Sequence, residues 1–132
     1  MRIMIDSNVL VSAVYNPNSK PAHALRHVCE NHALLLCEYI IKECYGVIKE
    51  KFPQHEAVLD TLLASMNYEL AAVSEGSTPV INPKDAPILN AAISADVDRI
   101  ISGGKHFLAL QMERPKVLTP AQYLEEQIAQ NQ

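Results

Sequence analysis

An α/β fold, with a parallel sheet covered by helices on both faces, is predicted by three observations. Short uninterrupted apolar runs recur along the chain: Ile3-Met4-Ile5, Leu34-Leu35-Leu36-Cys37 and Ile100-Ile101. Strands buried on both faces read this way, whereas half-exposed strands alternate. Stretches with apolar residues at helical spacing separate these runs, as in βαβ units. Eight prolines against four glycines suit regular elements joined by firm turns.

Taken in order, Arg2-Ile3-Met4-Ile5-Asp6 reads as a buried strand ending in an acid. Ser7 or Asn8 then caps a short helix, Val9 to Val14. Tyr15 to Pro21 is a loop by composition. Ala22 to Glu30 is helical, with Leu25 and Val28 on one side. Ala33 to Cys37 is a strand, and Tyr39 to Lys51 a helix stopped by Pro53. Gln54 to Met66 is helical, with Val58, Leu59, Leu62 and Leu63 as its apolar stripe. Tyr68 to Val73 reads as a strand and Glu75 to Lys84 as a loop. Ala86 to Ala95 is helical, with Pro87 early enough to be tolerated. Arg99 to Ser102 is a strand running into Gly103-Gly104, and Lys116-Val117-Leu118 is a last strand. Thr119 caps a closing helix with Pro120 at its first position, and the tail from Ile128 frays. No repeat, low-complexity segment or linker interrupts the chain.

A length of 132 residues, with 48% apolar and 20% charged residues, is one domain's worth and suffices for one core. Disorder and collagen-like repeats are excluded. The formal charge of −4 argues against a general nucleic-acid binder, so contact with a polyanion needs a local basic rim or bound cations. Cys29, Cys37 and Cys44 are an odd number without a C-x-x-C pair, which fits a reducing compartment and packing as small apolar residues. The apolar start is too short and polar to cross a membrane. A soluble, cytoplasmic protein without membrane contact is expected.

The informative residues are acids in apolar surroundings. In a doubly wound sheet the functional crevice lies beyond the carboxyl ends of the strands. Asp6 closes the first strand and belongs at that rim, although aspartate there also serves as an ordinary helix cap. Glu43 shares a helix face with Ile40 and Val47, which turns it toward the core or its edge. An ionised carboxylate there calls for a partner or a cation, or else snorkels at the boundary. Asp85 precedes a helix, where aspartate is again a common cap. Asp96 and Asp98 fall at the opposite end of their strand. Should Asp6, Glu43 and Asp85 converge, they need a countercharge, and mutual repulsion is expected to raise at least one pKa without it. Mg²⁺ or Mn²⁺ takes oxygen ligands, keeps waters, and recruits phosphate.

At these residues the chain resembles the PIN-domain nucleases, in particular the VapC-like toxins of bacterial and archaeal toxin–antitoxin pairs. Ile5 to Ala13 looks like the family's opening strand with its D-[ST]-N motif. Ile40-Ile41-Lys42-Glu43-Cys44 resembles the internal glutamate on a helix. Asn82 to Ala92, Asp98 to Leu108, and Val117 to Leu124 follow in family order. The resemblance covers nearly the whole chain and implies a single PIN-like domain over residues 1–132. Its fold would be a three-layer α/β/α arrangement around a mostly parallel sheet of about five strands. It implies that Asp6, Glu43 and Asp85 are catalytic and bind Mg²⁺ or Mn²⁺, with Asn8 and Ser102 supporting them. Family activity is endonucleolytic cleavage of RNA, silenced by a cognate antitoxin, and relatives commonly form homodimers. One departure stands out: where the family usually reads S/T-G-D, this chain has Ser102-Gly103-Gly104, so Gly104 replaces the fourth acid. His106, two residues on, is either a further ligand for Mn²⁺ or a loop histidine.

Lys105 is the basic residue best placed to meet a substrate phosphate. His23 and His27 stand at i, i+4 without the glutamate of an H-E-x-x-H motif, and read as surface histidines. Two other functions compete with a metal-dependent ribonuclease. Gly104 keeps open a degenerate PIN domain that binds RNA or protein without cutting. A phosphoryl-accepting Asp6 is a third reading, against which Asn8 stands where the phosphatase pattern D-x-D wants an acid.

Overall fold

Residues 1–72, 86–110 and 112–130 are described by the computed structural model, without the side chain of His106. The expected end of the third strand at Val73 and the loop from Glu75 to Lys84 lie outside the described residues. Five strands, β1 (Arg2–Ile5), β2 (Ala33–Cys37), β3 (Tyr68–Ala71), β4 (Arg99–Ile101) and β5 (Lys116–Leu118), form one sheet in the order β3-β2-β1-β4-β5. Every pairing is parallel, with Ile3 opposite Leu34 and Met4 opposite Ile100. The uninterrupted apolar runs are the central strands: Ile3, Met4, Ile5, Leu35, Leu36, Ile100 and Ile101 are fully buried. The edge strand β3 buries only Ala71 and leaves Leu70 exposed.

The sheet grows from β1 in both directions. Successive strands β1, β2 and β3 step one way, and β4 and β5 lie on the other side. Parallel crossovers are right-handed, so the crossover helices of the two halves cover opposite faces and give three layers, while the helix after β5 packs back onto the helix before β2. The reversal of direction falls between β1 and β4, and sheets of this kind bind their ligands beyond the strands' carboxyl ends at such a point.

Helix α1 (Ser7–Tyr15) follows β1 directly, and α2 (Lys20–Asn31) leads into β2. Asp6 itself, rather than Ser7 or Asn8, is the N-cap of α1, with its carboxylate accepting from Ser7 N–H. Helix α2 starts two residues earlier than expected because Ser19 caps it and Pro21 fits its first turn. Helix α3 (Glu38–Lys51) ends at Phe52, and a 3-10 turn (Pro53–His55) leads into α4 (Glu56–Ser65). The buried stripe of α3 is Ile40, Cys44 and Ile48. The expected stripe of α4 is narrower: Leu59 is buried, Leu62 and Leu63 are half-buried, and Val58 is exposed.

Helix α5 (Ala86–Ser94) precedes β4, with Asp96 in the left-handed region at φ 59° in the connection. A four-residue helix, α6 (Lys105–Leu108), follows β4 where only a loop was read. Helix α7 (Pro120–Gln130) closes the described chain. Its start is a reciprocal cap: Gln122 N–H donates to Thr119 Oγ1 at 3.0 Å, and Thr119 N–H to Gln122 Oε1 at 2.9 Å. His27 is half-buried rather than on the surface, because its Nδ1 meets the hydroxyl of buried Tyr123 at 2.6 Å. Cys37 and Cys44 pack in the core as expected, whereas Cys29 is exposed. Among the described residues no helix is long and apolar enough to cross a membrane.

Charged groups gather at the amino ends of the strands. Arg2 N–H donates to Asp98 at 2.8 Å, the Arg2 guanidinium binds both Glu69 oxygens, and Arg114 reaches Asp96 and Asp98. These contacts place Asp98 away from the crevice, as its position before β4 requires.

Candidate active site

Asp6 is held where β1 meets α1. Its backbone N–H donates to Ile101 O of β4 at 3.0 Å, and its carbonyl accepts the first turn of α1 through Val9 N–H at 3.2 Å. These bonds fix the backbone of Asp6 at the switch point. The residue is only 6% exposed. Ser7 N–H donates to its Oδ1 at 2.7 Å, Ser102 Oγ to its Oδ2 at 2.7 Å, and Asn8 Nδ2 lies 3.4 Å from Oδ2. Burial pushes the carboxyl above its ordinary pKa, and the donors from Ser102 and Ser7 oppose that shift. The expected raised pKa is present, and burial is its largest cause.

Glu43 is half-buried on α3, beside the buried stripe of Ile40, Cys44 and Ile48. Ser7 Oγ donates to Glu43 Oε1 at 2.7 Å and stands 3.4 Å from Asp6 Oδ1. One hydroxyl thus joins the first two acids. Sequence reasoning assigned Ser7 only a capping role. The signal was the polar residue beside the strand-terminal acid, but its meaning depends on α1 packing against α3. Cys44 lies behind this pair, with Sγ 3.7 Å from Ser7 O. Burial, then the charges of Asp6 and Glu43, push its thiol up to about 12. It stays protonated and is not a nucleophile.

The end of β4 adjoins Asp6. Ser102 is fully buried; its hydroxyl donates to Asp6 and accepts from Gly104 N–H at 3.0 Å. Asn8 Oδ1 accepts from Gly103 N–H at 3.1 Å. Both residues assigned supporting roles therefore touch Asp6. Gly104 caps α6 at φ −75° and ψ 126°, without a side chain to do so. A Cβ added there would lie 3.4 Å from Ser102 Oγ and 3.6 Å from Asn8 Nδ2. Position 104 therefore faces the same polar cluster. Lys105 follows, exposed, at the start of α6. Asp85 lies outside the described residues, as does the side chain of His106.

Two carboxylates and the hydroxyls around them form a set of hard oxygen donors, which suits Mg²⁺ or Mn²⁺ better than a soft metal. Among the described residues no group of three or more His, Cys, Asp or Glu converges. One or two carboxylates with waters are sufficient for Mg²⁺, so the donors present fit a single hydrated ion.

A doubly wound α/β protein with an oxygen-donor, acidic site at its switch point is the class that fold and site define. The chain belongs to the PIN-domain family: the family model described as "PIN domain" matches residues 2–106. No curated protein matches it. Its fold is similar to a chain in the crystal structure of VapBC2 from Rickettsia felis bound to a DNA fragment from their promoter. The TM-score is 0.65 at 17% identity, covering 90% of this chain and 98% of that one.

Proposed function

We propose that this protein is a divalent-metal-dependent endoribonuclease, the toxin of a toxin–antitoxin pair, built as a single PIN domain over residues 1–132. The observation that carries the proposal is the joining of Asp6 and Glu43 through Ser7 Oγ in a chain of this family. Asp6, Glu43 and Asp85 are the proposed ligands for Mg²⁺ or Mn²⁺. The ion supplies an activated water and neutralises charge during phosphodiester cleavage. The chain's own residues do the positioning. Ser102 and Ser7 N–H fix the two Asp6 oxygens, Ser7 Oγ orients Glu43, and Asn8 ties Asp6 to the β4–α6 turn. Lys105 offers a cation to a substrate phosphate.

A cognate antitoxin is the proposed protein partner, supported by the fold's likeness to the VapBC2 structure. A homodimer is proposed from the family resemblance and from the exposed apolar side chains Val58, Leu70 and Ile93. Sedimentation showing monomer at high micromolar concentration refutes it. The proposed location is the cytoplasm. For the activity, labelled single-stranded RNA with Mn²⁺ should be cut by the wild type, spared in chelator, and spared by Glu43→Gln. Gly104 favours a second reading, a non-catalytic PIN domain that binds RNA or protein. Wild type and Glu43→Gln would then bind RNA alike and neither would cut.

A further inference from the structure

A second feature adjoins the Asp6 cluster. A cleft of about 280 Å³ opens beside Asn8, lined by Asn8, Val9, Ser12, Pro21, Gly103 and Pro120. We propose that it receives one base of a single-stranded RNA, next to the scissile phosphate, and that Ser12 determines which base is preferred. This rests on the reading of the Asp6–Glu43 site as an RNA-cleaving centre and names how that centre selects its substrate.

Position comes first. Asn8 and Ser12 lie one turn apart on the same face of α1. Asn8 is the wall between cleft and carboxylate: Nδ2 lies 3.4 Å from Asp6 Oδ2, and Oδ1 accepts from Gly103 N–H at 3.1 Å. A base in the cleft therefore places its own phosphate within a nucleotide's length of Asp6. With its amide engaged on both sides, Asn8 holds the wall rather than reading a base edge.

Chemistry comes second. Pro21, in the first turn of α2, and Pro120, at the first position of α7, present rigid apolar rings with no N–H. Val9 adds an apolar side chain. Such walls suit the face of a flat heterocycle, and one small polar group among them suits its edge. Ser12 is that group: it is half-buried, and its hydroxyl has no hydrogen bond among the described residues. A volume of 280 Å³ fits one unstacked base, which a single strand can splay out and a duplex cannot.

Charge is the third observation. Lys20, beside Pro21, and Lys105, beyond Gly103-Gly104, form no ion pair among the described residues, whereas Lys42, Lys49 and Lys116 do; Lys51, at the C-terminal end of α3, also forms none. Two uncommitted cations thus flank the cleft of a chain whose net charge is −4. They offer phosphates on either side of the base the local basic rim that an acidic protein needs.

The test separates binding from cutting. Wild-type protein in chelator, where no cleavage occurs, is titrated with short oligo-A, oligo-C, oligo-G and oligo-U, following backbone amide shifts by NMR. Shifts should centre on Val9, Ser12 and Gly103, and affinities should differ between bases by about 5- to 10-fold, the value of one hydrogen bond. Ser12→Ala should erase that difference while holding the best affinity within about tenfold. Ser12→Leu, which fills the cleft, should weaken every oligomer by about tenfold or more. The proposal is overturned if the oligomers do not bind, if shifts fall elsewhere, or if Ser12→Ala discriminates as the wild type does. Should Ser12→Leu fail to fold, Ser12→Ala decides. Cutting in Mn²⁺ is scored separately. Base-selective binding without cutting removes the nuclease reading and leaves the cleft. Cutting with base preference unchanged by Ser12→Ala removes the cleft and leaves the nuclease.

Discussion

Gly104→Asp restores an acid where the family usually carries its fourth, and the structure fixes what it should do. Gly104 has φ −75° and ψ 126°, an extended conformation that aspartate adopts without strain at a helix N-cap. The nearest atoms to an added Cβ are Ser102 Oγ at 3.4 Å, Asn8 Nδ2 at 3.6 Å and Phe107 Cβ at 4.0 Å, all ordinary contacts. The variant should therefore fold. Ser102 Oγ lies 2.7 Å from Asp6 Oδ2, so the new carboxylate comes close to the old one. Two unit charges about 6 Å apart at an effective dielectric of about 20 repel by about 3 kcal/mol. A new side-chain cap on α6 offsets about 1 kcal/mol. In chelator the variant should be less stable by about 2 kcal/mol, a fall in Tm of roughly 6–10 °C for a chain of this length.

Metal reverses the sign. An ion at about 100 times its Kd adds about 2.7 kcal/mol to the folded state. The variant should bind it more tightly than the wild type because one more carboxylate faces the site. Differential scanning against Mn²⁺ concentration should show the two curves crossing, and RNA cleavage by the variant should exceed that of the wild type. Asp6→Asn in the same background should flatten the metal response. A folded Gly104→Asp protein whose Tm ignores Mn²⁺, and which cuts no faster, refutes the metal site.

Asp6→Asn alone should raise metal-free stability by about 1 kcal/mol at neutral pH, because an acid held above its ordinary pKa by burial loses support as pH rises through its folded value. The gain should vanish as pH approaches the ordinary value of 3.8, and a pH-independent gain in thermal scans refutes the cause. Ser7→Ala removes the hydroxyl donated to Glu43 and should lower kcat roughly 10- to 100-fold, as expected for a hydrogen bond to a charged group, with Ser7→Thr restoring it. Equal rates for all three proteins dismiss the bridge. Asp98→Ala should cost about 1 kcal/mol at pH 7 and leave cleavage unchanged, since Asp98 serves Arg2 N–H and Arg114 at the far end of the sheet. Its pKa is lowered by those partners, so its contribution is present above 3.8 and is lost as pH falls through the lowered value. A loss that persists in acid contradicts the pairing.

The elements that position the site were the most legible. β1, β2 and β4 are buried on both faces, so each reads as an apolar run without alternation, and an acid ending such a run is conspicuous. Asp6 stood out for that reason, and Glu43 because helical spacing turned it toward buried neighbours. Asp98 was set aside because it precedes its strand, and it is found with Arg2 and Arg114 at that end of the sheet. What escaped was tertiary. The bridge from Ser7 to Glu43 exists because α1 lies on α3, and no local pattern encodes that contact. Helix α6 has four residues, one turn, too short for a period to register. Val58 was placed inward because four apolar residues fill its stretch of α4, yet the helix buries only Leu59 fully. Asp6 was weighed as either cap or site residue, and it is the N-cap of α1 while its carboxylate faces Ser102 and Asn8.

That double use of Asp6 explains how a carboxylate survives in the crevice. Capping supplies one backbone N–H, and the turn after β4 supplies Ser102 Oγ, each 2.7 Å from a different oxygen. Those donors lower the price of burying the charge without cancelling it, since the carboxyl remains shifted upward. The surplus is what a cation can draw on: a site that solvates its acid incompletely binds a metal more strongly than one that satisfies it. Gly104 fits the same balance. A fourth carboxylate would sharpen metal affinity and also the repulsion when metal is scarce. With glycine there, Ser102 and Asn8 hold Asp6 undisturbed, and the fold depends less on the ion. On this reasoning, glycine at position 104 gives up affinity at the proposed metal site for stability in the absence of metal.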